Sequence, residues 1–221
     1  MGELWCWGQN TQGELGDGTD KDRFSPTRVD EQTDWSSVSA GNRHTCGIAA
    51  TKLLCWGSNA SGQLGDGTTT GSLVPNFVDG AAWQVVSANS GYTCGIRISG
   101  DLYCWGSNSQ GRLGDGTIVS RLLPTLIGDD YSTVAGGLAH TCGIRSGTDL
   151  YCWGFNNRGQ VGDGTTVDRH TPTLTSGSFE SVATGNFHTL AIGVPPPPPL
   201  MCDGKVVTID MNTNGLSLIH I

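Results

Sequence analysis

Three histidines and a tyrosine recur at one interval: His44, Tyr92, His140 and His188 stand 48 residues apart, and each is followed by threonine. Imidazoles in register could ligate a metal or act as general bases. A ring of ligands or bases would fail at Tyr92, so the position reads as structural, a side chain hydrogen-bonding backbone beside a strand. Asp17, Asp66, Asp115 and Asp163 lie in four Gly-Asp-Gly-Thr turns, where carboxylates could bind calcium. Calcium takes six or more oxygens, whereas Asp before Gly is ordinary turn chemistry, so Asx turns are expected there. The glycine-rich blocks neither follow a strand nor open a helix, which removes the phosphate-loop readings. No Ser/His/Asp group, metal-ligand cluster or carboxylate pair stands out from the repeat, and neither enzyme activity nor a cofactor is expected.

The cysteines carry the other candidate chemistry. Cys46 and Cys55, Cys94 and Cys104, and Cys142 and Cys152 form three local couples, with turn sequences such as Ser99-Gly100-Asp101 midway. Zinc sites favour groups of four, and each couple lacks a second couple on its own sheet face, so cross-strand disulfides are predicted. Matched bridges in three successive units fit an oxidising compartment, extracellular or at the cell surface. Cys6 and Cys202 are expected to remain unpaired.

The elements that position these residues repeat as well. Cys-Trp-Gly occurs at Cys6, Cys55, Cys104 and Cys152, at intervals of 49, 49 and 48 residues, each followed by Asn and a Gly-x-Leu/Val-Gly-Asp-Gly-Thr block. An aromatic residue followed three residues later by Val (Trp35 and Val38, Trp83 and Val86, Tyr131 and Val134, Phe179 and Val182) leads into each His/Tyr-Thr segment. A fourth apolar segment follows Pro26, Pro75, Pro124 and Pro172, and proline suits an edge strand. Helical periodicity is absent. Short strands separated by Gly, Asp and Asn turns predict twisted four-stranded antiparallel sheets. One such sheet cannot bury both faces alone, so the sheets stack radially as the blades of an all-β propeller.

The pattern W-G-x-N-x-x-G-Q-L-G-D-G-T, then Pro, then A-G-x-x-H-T-x-x-I resembles the RCC1 repeat from Leu4 to about Ile192. The resemblance implies a seven-bladed ring, of which this chain would hold about four blades. Its family includes eukaryotic nucleotide-exchange factors and secreted bacterial proteins, among them a β-lactamase inhibitor. Closing a four-bladed ring by laying residues 1–8 on the last blade would set Cys6 opposite Leu190, so a piece of a longer ring is expected. Residues 1–194 are expected to form the propeller, 195–199 a polyproline linker, and 200–221 the start of a second module whose end, LSLIHI, reads as non-native. Residues 201–210 resemble the lead-in to hemolysin-type calcium-binding repeats, so calcium is expected only in a further downstream domain.

Between these landmarks the chain varies. The segments Asp20 to Ser25, Thr69 to Val74, Ile118 to Leu123 and Thr166 to Thr171 differ from unit to unit, and variable loops on rigid scaffolds carry function. Arg23, Arg43, Tyr92, Arg121, Arg169 and Phe187, in these loops or beside the turns before the His-Thr segments, are the candidate partner contacts. A net charge of -8 disfavours nucleic acid. No apolar run approaches a membrane span, and Met1 to Trp5 lacks the features of a signal peptide, so the export signal is expected outside this chain. A secreted protein-binding module is the first expectation. A nucleotide-exchange regulator of a small GTPase is the alternative, disfavoured by the cysteines, and an extracellular inhibitor of an enzyme such as a β-lactamase is the third.

Overall fold

The computed structural model describes residues 2–145 and 147–195, together with the backbone of 200–202, 205–209 and 219–220. The N-terminal pair is β1 (Trp5–Gly8) with β2 (Arg23–Arg28). Two four-stranded antiparallel blades follow: β3 (Trp35–Ala40), β4 (His44–Ala49), β5 (Lys52–Gly57) and β6 (Ser72–Phe77), then β7 (Trp83–Ala88), β8 (Tyr92–Arg97), β9 (Leu102–Gly106) and β10 (Arg121–Gly128). A third sheet contains β11 (Tyr131–Gly136), β12 (His140–Arg145), β13 (Asp149–Gly154), the long β14 (Arg169–Thr184) and β15 (Thr189–Gly193). The early part of β14 is the outer strand of the third blade, and its later part pairs with β15 as the inner strands of the next unit.

The chain therefore supplies three complete blades flanked by an outer half-blade, β1 with β2, and an inner half-blade, late β14 with β15. Blade boundaries fall half a repeat away from the repeat as read from Cys-Trp-Gly. Each blade takes its inner strands from one unit and its outer strands from the next. In the tail, β16 (Leu200–Cys202), β17 (Lys205–Ile209) and β18 (Ile219–His220) form a small antiparallel sheet. Of the spacer expected at 195–199 all but Pro195 lies outside the described residues, as do the Cys202 side chain and most of the LSLIHI end.

Each blade is held across its middle by a disulfide between residues in direct register: Cys46–Cys55, Cys94–Cys104 and Cys142–Cys152, with Cα atoms 4.1 Å apart in all three. Cys6 is free, and burial followed by the negative charge of Asp17 pushes its thiol up to about 11.

The seams between blades are built from the repeat itself. Trp56, Trp105 and Trp153 are fully buried. Their indole nitrogens donate to Glu14 O, Gln63 O and Arg112 O, carbonyls of the preceding unit's loop, at 2.9, 3.0 and 3.0 Å. Thr45, Thr93 and Thr141 donate to the same three carbonyls at 2.7, 2.8 and 2.8 Å. Glycine is required opposite each indole: at Gly65 the backbone has φ +76°, and a Cβ would lie 2.6 Å from Trp105 Nε1. Each tryptophan also meets an inner-strand aromatic edge-on, Trp35 for Trp56, Trp83 for Trp105 and Tyr131 for Trp153. Burying such a ring removes on the order of 200 Å² from water, roughly 5 kcal/mol at 25 cal/mol/Å².

Candidate partner-binding surface

Gly57 pairs with both His44 and Ser72, so the turn before His44 and the loop between β5 and β6 leave the same end of the blade. The other units repeat this, which gathers the variable loops and the turns at 41–43, 89–91, 137–139 and 185–187 on one face. A recess of about 410 Å³ opens between the turns, with Asn42, Asn89 and Asn186 among its lining residues.

Each loop is shaped by a buried asparagine. Asn10, Asn59, Asn108 and Asn156 accept from the backbone N–H of Leu15, Leu64, Leu113 and Val161. They donate to the Asp and to carbonyls farther round the loop, for example Asp17 Oδ1, Thr19 O and Lys21 O from Asn10. The aspartate in turn accepts from the backbone and hydroxyl of the threonine two residues on, the Asx turn expected of Asp-Gly-Thr.

Three of the nominated arginines belong to this architecture. Arg23, Arg121 and Arg169 place Nε 2.6, 2.7 and 2.6 Å from Oδ2 of Asp17, Asp115 and Asp163. Partial burial works to raise these carboxyls, but the hydrogen bonds from the neighbouring threonine and arginine outweigh it and hold all three below the usual range, Asp163 at about 2. The guanidiniums close their own loops and occupy the carboxylate positions that a cation would need.

Tyr92 is also placed elsewhere than the loop-face nomination puts it. It is fully buried, and its hydroxyl donates to His140 O at 2.8 Å across the seam. The residue stands where the other units have histidine, so it cannot touch a partner from within the folded seam. Arg43 and Phe187 do lie exposed at the turns, Phe187 edge-on to Phe155 with centroids 6.4 Å apart.

The histidines at this position bridge blades. Thr93 and Thr189 use their hydroxyl protons on Gln63 O and Gln160 O, so each must accept from the imidazole that reaches it. His44 and His140 therefore carry the proton on Nε2, which donates at 2.8 and 3.0 Å, and Nδ1 is left without a partner. Burial drives both rings down to about 4, helped at His140 by the charge of His188. Neutral, buried and committed to threonine, His44 and His140 are seam residues.

Sequence reading missed the exposed apolar side chains at the loop tips and on the strands they enter. Phe24 is 97% exposed, and Val74, Ile118, Val119, Leu123 and Val167 are 50 to 60% exposed. A run of β-branched and aromatic residues outside the repeated block was the available signal. Among the described residues no helix is long and apolar enough to cross a membrane.

The family described as Regulator of chromosome condensation (RCC1) repeat matches residues 1–48, 52–96, 99–144 and 149–192. Human WBSCR16 is similar over 88% of this chain and 54% of its own, with 22% identity and a TM-score of 0.79. Prp20p from Saccharomyces cerevisiae, described with its binding to Gsp1p and histones, is similar over 88% of this chain and 52% of its own, with 20% identity and a TM-score of 0.75. Yeast RCC1 (Prp20), in a structure bound to Kap60, gives 21% identity and a TM-score of 0.76, covering 88% of this chain and 51% of its own. The chain thus spans about half the length of these solved structures. No curated protein matches it.

Proposed function

The chain belongs to the RCC1 repeat family, and from that premise we propose that it is a protein-binding module of an oxidising compartment that engages its partner through the loop face. The carrying observation is the division of side chains along each repeat. The landmark tryptophans other than Trp7, the landmark threonines and asparagines, and all but one of the His/Tyr set are spent on seams and loop closure. The positions that vary place large apolar groups in solvent, and exposed apolar clusters mark interaction sites. The three blade disulfides support the oxidising compartment. Protein binding by Prp20p supports the class of function and leaves the partner of this chain to experiment.

The test replaces Phe24, Val74, Ile118, Val119, Leu123 and Val167 with threonine and leaves Arg23, Arg121 and Arg169 in place to hold the loops. Pull-down from extracellular material should recover a partner with the parent chain and lose it with the six-site variant. Equal recovery by both proteins overturns the loop-face assignment, and accelerated nucleotide release from a GTPase would replace it with the exchange-factor reading.

A further inference from the structure

One loop departs from the other three at the point where they are closed. Asp17, Asp115 and Asp163 are each followed, six residues on, by arginine, whereas Asp66 is followed by Ser72. The rest of that loop is built as in the others. Asn59 Nδ2 donates to Asp66 Oδ1 at 3.1 Å, and the Thr68 backbone and hydroxyl both donate to Oδ1 at 2.9 Å. Elsewhere the arginine puts Nε on the aspartate Oδ2 at 2.6 to 2.7 Å and a terminal nitrogen 3.3 to 3.4 Å from the threonine hydroxyl. Ser72 instead turns its hydroxyl to Val74 O at 2.7 Å, and among the described residues no donor meets Asp66 Oδ2.

A second side chain is missing beside the first. The backbone N–H groups of Asn10, Asn108 and Asn156 donate to side-chain oxygens of Asp22, Ser120 and Asp168. The corresponding residue before Ser72 is Gly71, which offers no side-chain oxygen. Both groups that close the other loops from outside are absent from the same loop: among the described residues Asp66 Oδ2 has no donor, and the exposed Thr68 hydroxyl, which accepts from Asn59 Nδ2 and the Thr70 N–H at 3.2 Å, lacks the guanidinium contact that its counterparts Thr19, Thr117 and Thr165 receive.

We propose that Asp66 and Thr68 form an acceptor site for an arginine side chain of a partner protein, the incoming guanidinium taking the place that Arg23, Arg121 and Arg169 hold in their own loops. A guanidinium suits the two acceptors better than an ammonium because its planar fork reaches both oxygens together. The net charge of -8 draws a basic segment toward the chain. Val74, 50% exposed, and Leu123, 57% exposed and beside Gly67, give an apolar residue next to that arginine a surface to cover. The proposal rests on the loop face being a binding surface and names the chemistry that one loop recognises.

The experiment is an NMR titration of the full chain with N-acetyl-arginine methylamide, following the backbone amides of residues 66–70, with the lysine and citrulline analogues as controls. Saturable shifts centred on Thr68 are expected with arginine, smaller ones with lysine and none with citrulline. Asp66→Asn should abolish them, and so should Ser72→Arg, whose own side chain would occupy the site. Arg23→Ser should open a second site, seen as new saturable shifts at Thr19. Shifts that persist in Ser72→Arg, or that fail to appear at Thr68 in the parent, overturn the proposal. The titration reads the arginine site alone and the six-site variant reads partner capture, so the failure of either reading is distinguishable from failure of the other.

Discussion

Trp7 and Trp105 hold the same place in the repeat and live in different surroundings. Trp105 is fully buried, bonded to Gln63 O and packed on Trp83, whereas Trp7 is 60% exposed. The residue type is the same and the surroundings differ: β9 is paired on both sides and covered by the loop of another unit, whereas among the described residues β1 is paired with β2 alone and no such loop lies on Trp7. A blade in this protein is finished by its neighbour, so stability is a sum of blade and seam contributions. Residues that hold seams are thus distinct from residues that face outward.

The largest effect is expected from Trp105→Ala, which empties a seam and leaves the Gln63 carbonyl with Thr93 as its remaining donor; urea denaturation should show a loss of about 3–5 kcal/mol. The same substitution at Trp7 should cost less than about 0.5 kcal/mol, as at other exposed sites. Comparable losses at the two positions would remove the argument from seams.

Acid should attack the seams next. His44 and His140 have folded values near 4 against an unfolded value near 6.5. Above about pH 6.5 both states are neutral and the seams keep their full contribution. Between about pH 6.5 and 4 the unfolded chain takes up protons that the folded chain excludes, so stability falls as pH falls, by on the order of 3 kcal/mol per histidine. His44→Tyr, which copies the tyrosine already used at Tyr92, should remove its share of that slope in denaturation curves at pH 7, 5 and 4.

Smaller effects are expected within blades. Replacing Cys94 and Cys104 together with serine should lower stability by about 2–3 kcal/mol, since the closed loop is short, while leaving the seams assembled. Arg23→Ser should cost about 1 kcal/mol by uncovering Asp17, whose side chain is only 5% exposed. A thermal shift larger than that of the disulfide variant would mean that the loop closure supports the whole seam.

Much of this was legible from spacing. Cysteines nine or ten residues apart around a turn could only face one another across a hairpin, and four Cys-Trp-Gly blocks in one register required stacked sheets. The half-repeat offset of the blades was not legible, because a repeat read from any starting point looks equally complete, and only strand pairing shows which strands share a sheet. The loop-closing role of the arginines was hidden for a related reason. Arg23, Arg121 and Arg169 sit inside segments that vary around them, and their constant six-residue distance from Asp is masked by Ser72 in the second unit. Tyr92 looked like an exposed aromatic because sequence does not show which end of a short strand faces a neighbouring blade.

Seams and loop tips are separable in this protein, one holding the fold and the other proposed to meet the partner. Urea denaturation of the six-site threonine variant beside Trp105→Ala tests that separation most directly. The six-site variant should keep a midpoint within error of the parent while that of Trp105→Ala collapses; a six-site variant that unfolds as early as Trp105→Ala would show that the loop tips hold the fold as well.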